Sequence, residues 1–418
     1  MKLRPTTTDA AAANRLTEEI TLEGHIIDSW ILPKVFDAVM DLGGSFELLE
    51  IRVGRRKDET SFARLNVSAE SESQLGRILT TLQDHGAVMA SQNDVRTEPA
   101  PANGVLPDDF YSTTHMPTQV RLGGKWVEVQ NTEMDLIITV DREQSLARMV
   151  PMADVQRGDA VVVGYNGIRV IPPQRSRHHE VFSFMASEVS SERPKRRVIE
   201  ELAREMSQTR ARGGKILVVA GPAIVHSGAG PYLARMIRAG FVQVLFGGNA
   251  IAAHDVESVL LGTSLGVTLR SGQQVEGGHR HHMFAINAVR KAGSLRQAVE
   301  SGLLREGIMF ECIKNNVELV LTGSVRDDGP IPDVILDMAE AQRRMREAVK
   351  GVDIALMIAT MLHSIATGNM LPASVKVAAV DINPAVVTKL ADRGTFQALG
   401  LVTDAELFVR ELASALGV

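Results

Sequence analysis

The sequence predicts an α/β C-terminal domain on a parallel sheet, preceded by a ferredoxin-like α+β domain and a small β-rich middle module. Apolar strand-like runs alternate with amphipathic helices after Gly213-Gly214, which is typical of a parallel sheet. Near the N-terminus the elements follow the order βαββαβ, and short strands broken by glycines lie between the two regions. We therefore divide the chain into residues 16–98, 106–176 and 177–418.

The N-terminal hundred residues show the pattern of a split βαβ domain. Hydrophobic and polar residues roughly alternate over residues 19–28, and Pro33 opens an amphipathic helix that Gly43-Gly44 ends. The remaining elements are strand-like runs at residues 46–53 and 62–69, a helix over 71–85 and a short apolar run at 87–90. Many amino-acid-sensing modules share this order of elements.

The middle module is predicted from short strands. A stretch rich in Pro, Asn and Gly at residues 99–107 is a candidate linker, and strand-like runs follow at 125–129, 135–140 and 160–163. Residues 182–206 then have a helical pattern apart from Pro194, which should mark a helix start or a kink. We expect the last domain to begin near Arg177.

The C-terminal domain is predicted from buried, β-branched runs. These runs cover residues 215–220, 242–246, 318–322, 353–358 and 375–380. Amphipathic helices lie between them, among them residues 231–239 and 331–350. In such a sheet ligands bind beyond the C-terminal ends of the strands, so candidate site residues are sought there.

Composition indicates an ordinary globular protein with a small-molecule partner. Hydrophobic residues make up 44% and charged residues 23% of the 418 residues, which excludes disordered and fibrous classes. The net charge is −5, and the one basic run, residues 193–197, is too short to imply nucleic acid. We expect no nucleic-acid partner.

The cysteine count and the apolar runs favour the cytoplasm. Cys312 is the only cysteine, so neither an intramolecular disulfide nor a thiolate zinc cluster can form within one chain. The first twenty residues lack the order of a secretory signal, and no stretch is apolar for long enough to span a bilayer. We expect a cytoplasmic protein without a membrane partner, and Cys312 as a small buried hydrophobe rather than a nucleophile.

A glycine-rich turn follows the first strand of the parallel sheet, at residues 221–231. Its glycines would let backbone N–H groups approach a pyrophosphate beside a helix N-terminus. The turn does not have the G-x-G-x-x-G pattern, and a tight connection without a ligand explains it equally well.

Asp381 gives the strongest local signal, because it closes the buried run at residues 375–380. An acid there can accept hydrogen bonds from both hydroxyls of an adenine ribose, and its charge disfavours a 2′-phosphate, so NAD is preferred over NADP. The alternative is that Asp381 caps the helix that starts near Pro384. The glycine turn precedes Asp381 by roughly 150 residues, whereas the ordinary dinucleotide fingerprint expects about 20.

Other strand ends carry polar groups. Asn249 could bind a ligand, although a plain turn also accepts Asn. Residues 360–363 place a hydroxyl, backbone N–H groups and the His363 imidazole at the next candidate position. Asp327 and Asp328 are candidate catalytic residues, since paired carboxylates suit acid–base work on an amino acid. A solvated turn with a helix cap is the competing interpretation.

Three histidines at residues 279–282 raise the possibility of a metal site. Adjacent residues cannot all point at one ion, so we expect no metal there. Contact with an anion or with substrate by His279 and Arg280 is the preferred interpretation.

Together these motifs resemble the archaeal-type ornithine cyclodeaminase family, which carries the LOR/SDH bifunctional-enzyme conserved region and includes the C-terminal part of cyanobacterial arginine dihydrolase fusions. The resemblance runs from about Leu16 to the end of the chain. Its motifs are residues 184–187 (FMAS), 190–194 (SSERP), 246–250 (FGGNA), 276–282 (EGGHRHH), 327–330 (DDGP), 360–363 (TMLH) and 380–384 (VDINP).

The resemblance implies a C-terminal domain similar to the deoxyhypusine-synthase-like NAD-binding fold. It also implies conversion of L-ornithine to L-proline and ammonia, in which bound NAD takes a hydride from the α-carbon and returns it to a cyclic imine. The cofactor contacts that it implies are Asn249, Ala250, Asp328, Thr360, Met361, Leu362, His363, Asp381 and Asp404. We expect a homo-oligomer and no arginine dihydrolysis.

Two other functions stay open at this point. One is another NAD-dependent amino-acid or opine-type dehydrogenase, which would release free NADH. The other is an amino-acid-sensing binding protein, which the ferredoxin-like unit favours and the cofactor-type strand ends disfavour.

Overall fold

The described part of the chain divides at the end of the middle module. A computed structural model describes residues 15–56, 59–90, 93–172, 195–269, 273–276, 278–327, 329–392 and 398–418. The described residues up to Pro172 form one unit, and those from Lys195 onward form a second. The motifs at residues 184–194 and the predicted helical residues 182–194 therefore lie outside the described residues, as does Asp328.

The N-terminal elements have the predicted βαββαβ order. They are β1 (Leu16–Gly24), α1 (Ile31–Asp41), β2 (Ser45–Arg52), β3 (Ser61–Ala69), α2 (Glu72–Asp84) and β4 (Val88–Met89). The strands form an antiparallel sheet of order β2-β3-β1-β4, which is the ferredoxin-like arrangement. Fully buried Val35, Leu65 and Ile78 come from both helices and the sheet, so this domain has its own core.

The middle module is a second sheet in the same unit. Its strands are β5 (Arg96–Pro99), β6 (Thr118–Leu122), β7 (Lys125–Gln130), β8 (Ile137–Asp141), β9 (Leu146–Val150), β10 (Ala160–Val163) and β11 (Ile168–Val170). They have the order β11-β6-β7-β9-β8-β10-β5, which confirms the β-rich prediction. The sequence analysis missed β5, which pairs antiparallel with β10, so this sheet begins at Arg96, before the candidate linker at residues 99–107.

The second unit alternates strands with helices. Its elements are α3 (Lys195–Ala211), β12 (Lys215–Ala220), α4 (Ala223–His226), α5 (Gly230–Arg238), β13 (Val244–Gly248), α6 (Asn249–Leu261), β14 (Thr263–Ser264), β15 (Val267–Thr268), α7 (His281–Ala292), α8 (Leu295–Glu300), α9 (Ile308–Lys314), β16 (Glu318–Thr322), β17 (Val334–Ile335), α10 (Met338–Val349), β18 (Val352–Ile358), α11 (Leu362–Met370), β19 (Lys376–Asp381), α12 (Pro384–Asp392), β20 (Ala398–Val402) and α13 (Ala405–Ala415).

Seven of these strands form a parallel sheet of order β17-β16-β13-β12-β18-β19-β20. The chain runs outward from β12 through β13 and β16, then returns to place β18 on the other side of β12. That reversal is the doubly wound order, with its crevice between β12 and β18. Alternate residues of β12 enter different cores, Ile216 and Val218 on one face and Leu217 and Val219 on the other. Burial on both faces explains the continuous apolar run.

One predicted helix begins later than expected. The pattern over residues 331–350 predicted a single helix, but Val334–Ile335 is a short strand that pairs with β16, and the helix begins at Met338. The reason is a cap: the Asp337 side chain accepts a hydrogen bond from Glu340 N. Among the described residues, no helix combines the length and apolar character that crossing a bilayer needs.

Candidate functional site

The crevice of the parallel sheet lies at the C-terminal ends of β12 and β18, where the backbones of the two strands are in direct contact. Gly221 follows β12, and its N–H donates to the carbonyl oxygen of Ile358, the last residue of β18. A side chain at Gly221 would overlap the Ala359 carbonyl oxygen, so only glycine fits there. Ala359 has φ +52°, a left-handed conformation that is uncommon for alanine. The chain therefore turns sharply over the sheet edge at this point.

Two helices that start at this edge have open N-termini. Neither Gly248, which precedes α6, nor Met361, which precedes α11, makes a side-chain cap hydrogen bond. In contrast, Asn383 Oδ1 accepts from Ala385 N at the start of α12, and Asp404 caps α13. Because first-turn N–H groups without a partner favour an anion, α6 and α11 are the candidate phosphate ligands of this edge.

Asn249 ties α6 to the loop that follows β16. Its Nδ2 donates to Asp327 Oδ1 at 3.1 Å, and its Oδ1 accepts from Ile331 N at 3.1 Å. Asp327 Oδ2 accepts from Ser324 N at 2.7 Å. Both oxygens of Asp327 thus hold the protein backbone and Asn249, an arrangement that matches the turn interpretation of this carboxylate. Its predicted catalytic role stays a prediction, as does that of Asp328.

His363 reaches across the sheet edge from α11 to the end of β16. Its Nε2 lies 2.6 Å from Thr322 Oγ1. Burial lowers the pKa of His363, while nearby Asp327 acts in the opposite direction. A Cβ at Gly248 would lie 3.4 Å from the imidazole Cε1, so the ring packs directly against the start of α6. At neutral pH His363 is therefore an uncharged hydrogen-bonding group.

Asp381 stands half-buried at the end of β19. Its Oδ1 accepts from Asn383 N at 2.8 Å, and it is Asn383 rather than Asp381 that caps the following helix. No described residue donates a hydrogen bond to Asp381 Oδ2, which leaves this oxygen as an acceptor for a ligand hydroxyl. Asp404 Oδ1 instead accepts from Glu406 N and Leu407 N, so this residue has a structural task at α13.

The other residues predicted to contact the cofactor lie at the same edge. Ala250, Met361 and Leu362 are exposed, and Thr360 is half-buried. Exposed apolar side chains beside open helix N-termini suit the rings of a dinucleotide. These assignments stay predictions, as do those of Arg280, which is exposed, and of His279, whose side chain lies outside the described residues.

The glycine turn after β12 is largely satisfied internally. Ile224 N donates to Gly221 O, Ser227 N to Ala223 O, and Gly228 N to Val225 O. With the Gly221 N–H already bound to β18, few of these N–H groups remain for a pyrophosphate. The structure favours the tight connection over the phosphate cradle.

A polar cluster missed by the sequence analysis lies beside the turn, where α4, α6, β14 and α7 meet. Its members are His226, His254, Glu257, Thr263, Ser264, His281 and His282. The rings of His226 and His254 lie 4.6 Å apart edge to face. Burial, with a smaller contribution from His254, lowers the pKa of His226 to about 4. The one sequence signal was His254 with Glu257, three residues apart in a largely buried helix.

The described residues contain no group of three or more His, Cys, Asp or Glu side chains arranged to hold a metal ion. Cys312 is fully buried, and burial raises the pKa of its thiol, with Asp255 and Glu311 adding to the effect. Its expected role as a small buried hydrophobe is confirmed.

Models of known families match the chain along nearly its whole length. Residues 200–412 match the Rossmann-fold region of the arginine dihydrolase ArgZ-like C-terminal part, and residues 117–199 match the first region of that part. Residues 17–116 match the LOR/SDH bifunctional enzyme conserved region. The Rossmann-fold match agrees with the doubly wound sheet and confirms the predicted fold class.

Similar proteins include an archaeal ornithine cyclodeaminase and a cyanobacterial arginine dihydrolase. The ornithine cyclodeaminase of Methanothermobacter thermautotrophicus is 54% identical over 394 residues, which are 94% of this chain and 96% of that protein. The crystal structure of apo ArgZ, a cyanobacterial arginine dihydrolase, has a TM-score of 0.86 at 43% identity and covers 99% of this chain. This chain spans 60% of ArgZ.

A third comparison includes ligands. AgrE, the bifunctional arginine dihydrolase/ornithine cyclodeaminase of Nostoc, has been solved as a ternary complex with ornithine and NAD+. That structure has a TM-score of 0.53 at 43% identity and covers 97% of this chain and 58% of AgrE. The chain belongs to the ornithine cyclodeaminase family that carries the LOR/SDH conserved region, the family shared with the C-terminal part of the cyanobacterial arginine dihydrolases.

Proposed function

We propose that this protein is an NAD-dependent ornithine cyclodeaminase that converts L-ornithine to L-proline and ammonia without net oxidation. The observation that carries the proposal is the pair of open helix N-termini, α6 and α11, beside the Gly221–Ala359 crevice. Asp381 ends the next strand, and its Oδ2 has no hydrogen-bond partner within the described ranges. The names of the relatives and the ornithine–NAD+ complex of AgrE support the substrate and cofactor.

The strand ends fit an extended dinucleotide. Asp381 ends β19 and Asn249 follows β13, so the two residues are three strand spacings apart, or about 14 Å. Asp381 would accept the ribose hydroxyls at one end, and the N–H groups that begin α11 would face the pyrophosphate. The second helix N-terminus, at Asn249, would meet the other half of the cofactor. The negative charge of Asp381 would disfavour a 2′-phosphate.

NAD, when bound, would supply the hydride acceptor for the α-carbon of ornithine and the hydride donor for the cyclic imine. Three groups of residues in the chain would support this hydride transfer. The uncharged His363, fixed by Thr322, would donate or accept a hydrogen bond without adding charge. The exposed Met361 and Leu362 would exclude water from the rings. Asp327, or Asp328 beside it, would orient or deprotonate an amine, with Asp327 already holding Asn249.

A label distinguishes this activity from that of an amino-acid dehydrogenase. L-ornithine deuterated at C2 is incubated with NAD-loaded protein and no added NADH. A cyclodeaminase that holds its cofactor through both steps returns the label, so proline should carry deuterium at C2 while ammonia forms in equal amount. Unlabelled proline, or stoichiometric NADH in solution, would contradict the proposal and favour an ordinary dehydrogenase.

A further inference from the structure

The polar cluster between α6 and α7 has the connections of a proton-accepting site. Glu257 is fully buried, and its carboxylate accepts hydrogen bonds on both oxygens. Oε1 accepts from Thr263 Oγ1 at 2.9 Å and from Gly266 N at 3.1 Å, and Oε2 lies 2.8 Å from His254 Nδ1. Burial alone would raise the pKa of Glu257, but these hydrogen bonds outweigh it and hold the pKa below its usual range. The cluster therefore contains a buried negative charge.

The hydrogen bonds also assign the protons of the imidazoles. An ionised carboxylate can only accept, so His254 Nδ1 carries the proton that it shares with Glu257. With Nδ1 as the donor to Glu257, Nε2 is the nitrogen that accepts a hydrogen bond or a proton whenever the ring is neutral. Among the described residues Nε2 has no hydrogen-bond partner, and 11% of the His254 side chain remains exposed. Thr263 has one proton and gives it to Glu257, so its oxygen accepts from His281 Nδ1 at 2.7 Å.

His254 is flanked by two other imidazole rings and is followed along α6 by a second buried carboxylate. His226 comes from α4, and His282 comes from α7 with its ring 6.2 Å from that of His254. Asp255, the next residue along α6, is bound instead to the backbone of α9. His254 thus lies among imidazole rings and beside the buried carboxylate of Glu257, whose negative charge favours a bound ammonium group or a protonated ring.

We propose that His254 and Glu257 form an amine-binding dyad, in which His254 Nε2 takes a proton from an ammonium group of the substrate. The inference rests on the proposed function: ornithine carries two ammonium groups at neutral pH, and the α-amine must be neutral before its carbon can lose a hydride. The proton passes from the substrate nitrogen to Nε2, and the imidazolium beside Glu257 later returns it to the departing ammonia. Orientation of His by a buried carboxylate is the logic of hydrolase triads.

The test compares His254→Gln and Glu257→Gln with two matched controls, His85→Gln and Glu406→Gln, which change the same residue types far from the cluster along the chain. We expect kcat for ornithine to fall by at least about 100-fold in His254→Gln. In Glu257→Gln the acid limb of kcat/KM should move to lower pH by about one unit, because the charge that favours the protonated ring is gone. NAD affinity, measured by calorimetry, should stay within about twofold of the wild type in all four variants.

Three outcomes would overturn the inference. One is wild-type turnover in both cluster variants. A second is a lower melting temperature and lower kcat in Glu257→Gln with an unmoved acid limb, which would make Glu257 a purely structural anchor. If the wild type forms no proline, the proposed function fails, and the dyad is then tested by calorimetry of ornithine binding to NAD-loaded protein. Glu257→Gln should weaken ornithine binding by at least about tenfold. Unchanged binding is the third outcome, and it would overturn the dyad as well.

Discussion

Thr322 Oγ1 lies 2.6 Å from His363 Nε2 across the open edge of the sheet. Thr322 is the last residue of β16, and His363 lies in the first turn of α11. The contact fixes the imidazole ring beside the proposed cofactor site. Thr322→Val keeps the shape of the side chain and removes the hydroxyl. We expect the affinity for NAD to fall about fivefold, in line with a net loss of about 1 kcal/mol for one hydrogen bond. Calorimetric titration measures this, and an unchanged affinity would show that the ring needs no such support.

The second prediction concerns the charge state of His363. Burial lowers its pKa, and the carboxylate of Asp327 opposes that effect. Asp327→Asn removes the opposing charge, so the pKa of His363 should fall further. Titration of the imidazole Cε1–H signal by NMR, with His363→Gln to assign it, measures the change. A pKa that rises in Asp327→Asn would show that the two groups do not interact as the structure indicates.

The third prediction tests the ribose acceptor. Asp381→Asn keeps the turn hydrogen bond to Asn383 N through its amide oxygen but lacks the second carboxylate oxygen and the charge. We expect NAD affinity to fall about tenfold while NADP affinity falls less or rises, because repulsion of a 2′-phosphate is relieved. The melting temperature should change little. Equal losses for both cofactors, or none, would remove Asp381 from the ribose.

The fourth prediction uses a buried carboxylate in the helix layer. Asp255 accepts from Ile308 N at 2.9 Å and from Met309 N at 2.8 Å, which caps α9, and burial raises its pKa from 3.8 to about 6. Because the folded-state pKa lies above the unfolded value, its contribution to the free energy of unfolding is fully present below about pH 4 and is lost as pH rises through 6. That loss is up to about 3 kcal/mol.

Urea unfolding at pH 4.5 and at pH 7.5 measures this effect against Asp255→Asn. The variant should be destabilised at both pH values, since an amide oxygen replaces only part of the cap. The difference in free energy of unfolding between the wild type and Asp255→Asn should become smaller as pH rises. A difference in free energy of unfolding that becomes larger with pH would mean that the folded protein favours the ionised form of Asp255.

The fifth prediction concerns the crevice. Gly221→Ala places a methyl group onto the Ala359 carbonyl oxygen, and neither backbone can give way without breaking the Gly221–Ile358 hydrogen bond. We expect a loss of stability of about 3 kcal/mol or more, together with weaker NAD binding. Gly230→Ala is the control, because its added Cβ would meet only Ile308 Cδ1, at 3.9 Å. Equal melting temperatures for the two variants would contradict the close approach.

The sequence predicts those features that depend on neighbouring residues. The runs of β12, β13, β16, β18 and β19 are visible because both faces of each strand are buried, so apolar residues follow one another without a break. A two-residue strand such as β17 leaves no such pattern. It is a strand only because it pairs with β16, and the sequence does not show that pairing. The helical spacing of apolar residues therefore predicted a helix that begins at residue 331, whereas α10 begins at Met338.

The sequence predicted which residues of the candidate site lie at strand ends, but not which side chains they contact. Asn249, Asp381 and His363 were found because polar residues directly follow apolar runs. Their partners were not, since Asn249 meets Asp327 and His363 meets Thr322 only after distant segments fold together. The role of Glu257 is hidden for the same reason, because its hydrogen-bond donors Thr263 and Gly266 come from β14 and the turn after it. Its spacing from His254 alone does not show that the carboxylate has buried partners.

The central position of β12 has a consequence for folding. One of its neighbours, β13, follows it closely along the chain, but the other, β18, arrives roughly 140 residues later. During synthesis this largely buried strand must therefore wait with one edge unpaired, able to pair with any extended segment that meets it. A chain that stops before residue 352 would keep that side open permanently. Such fragments should aggregate, and slow assembly of this pair should limit the rate at which the second unit becomes native.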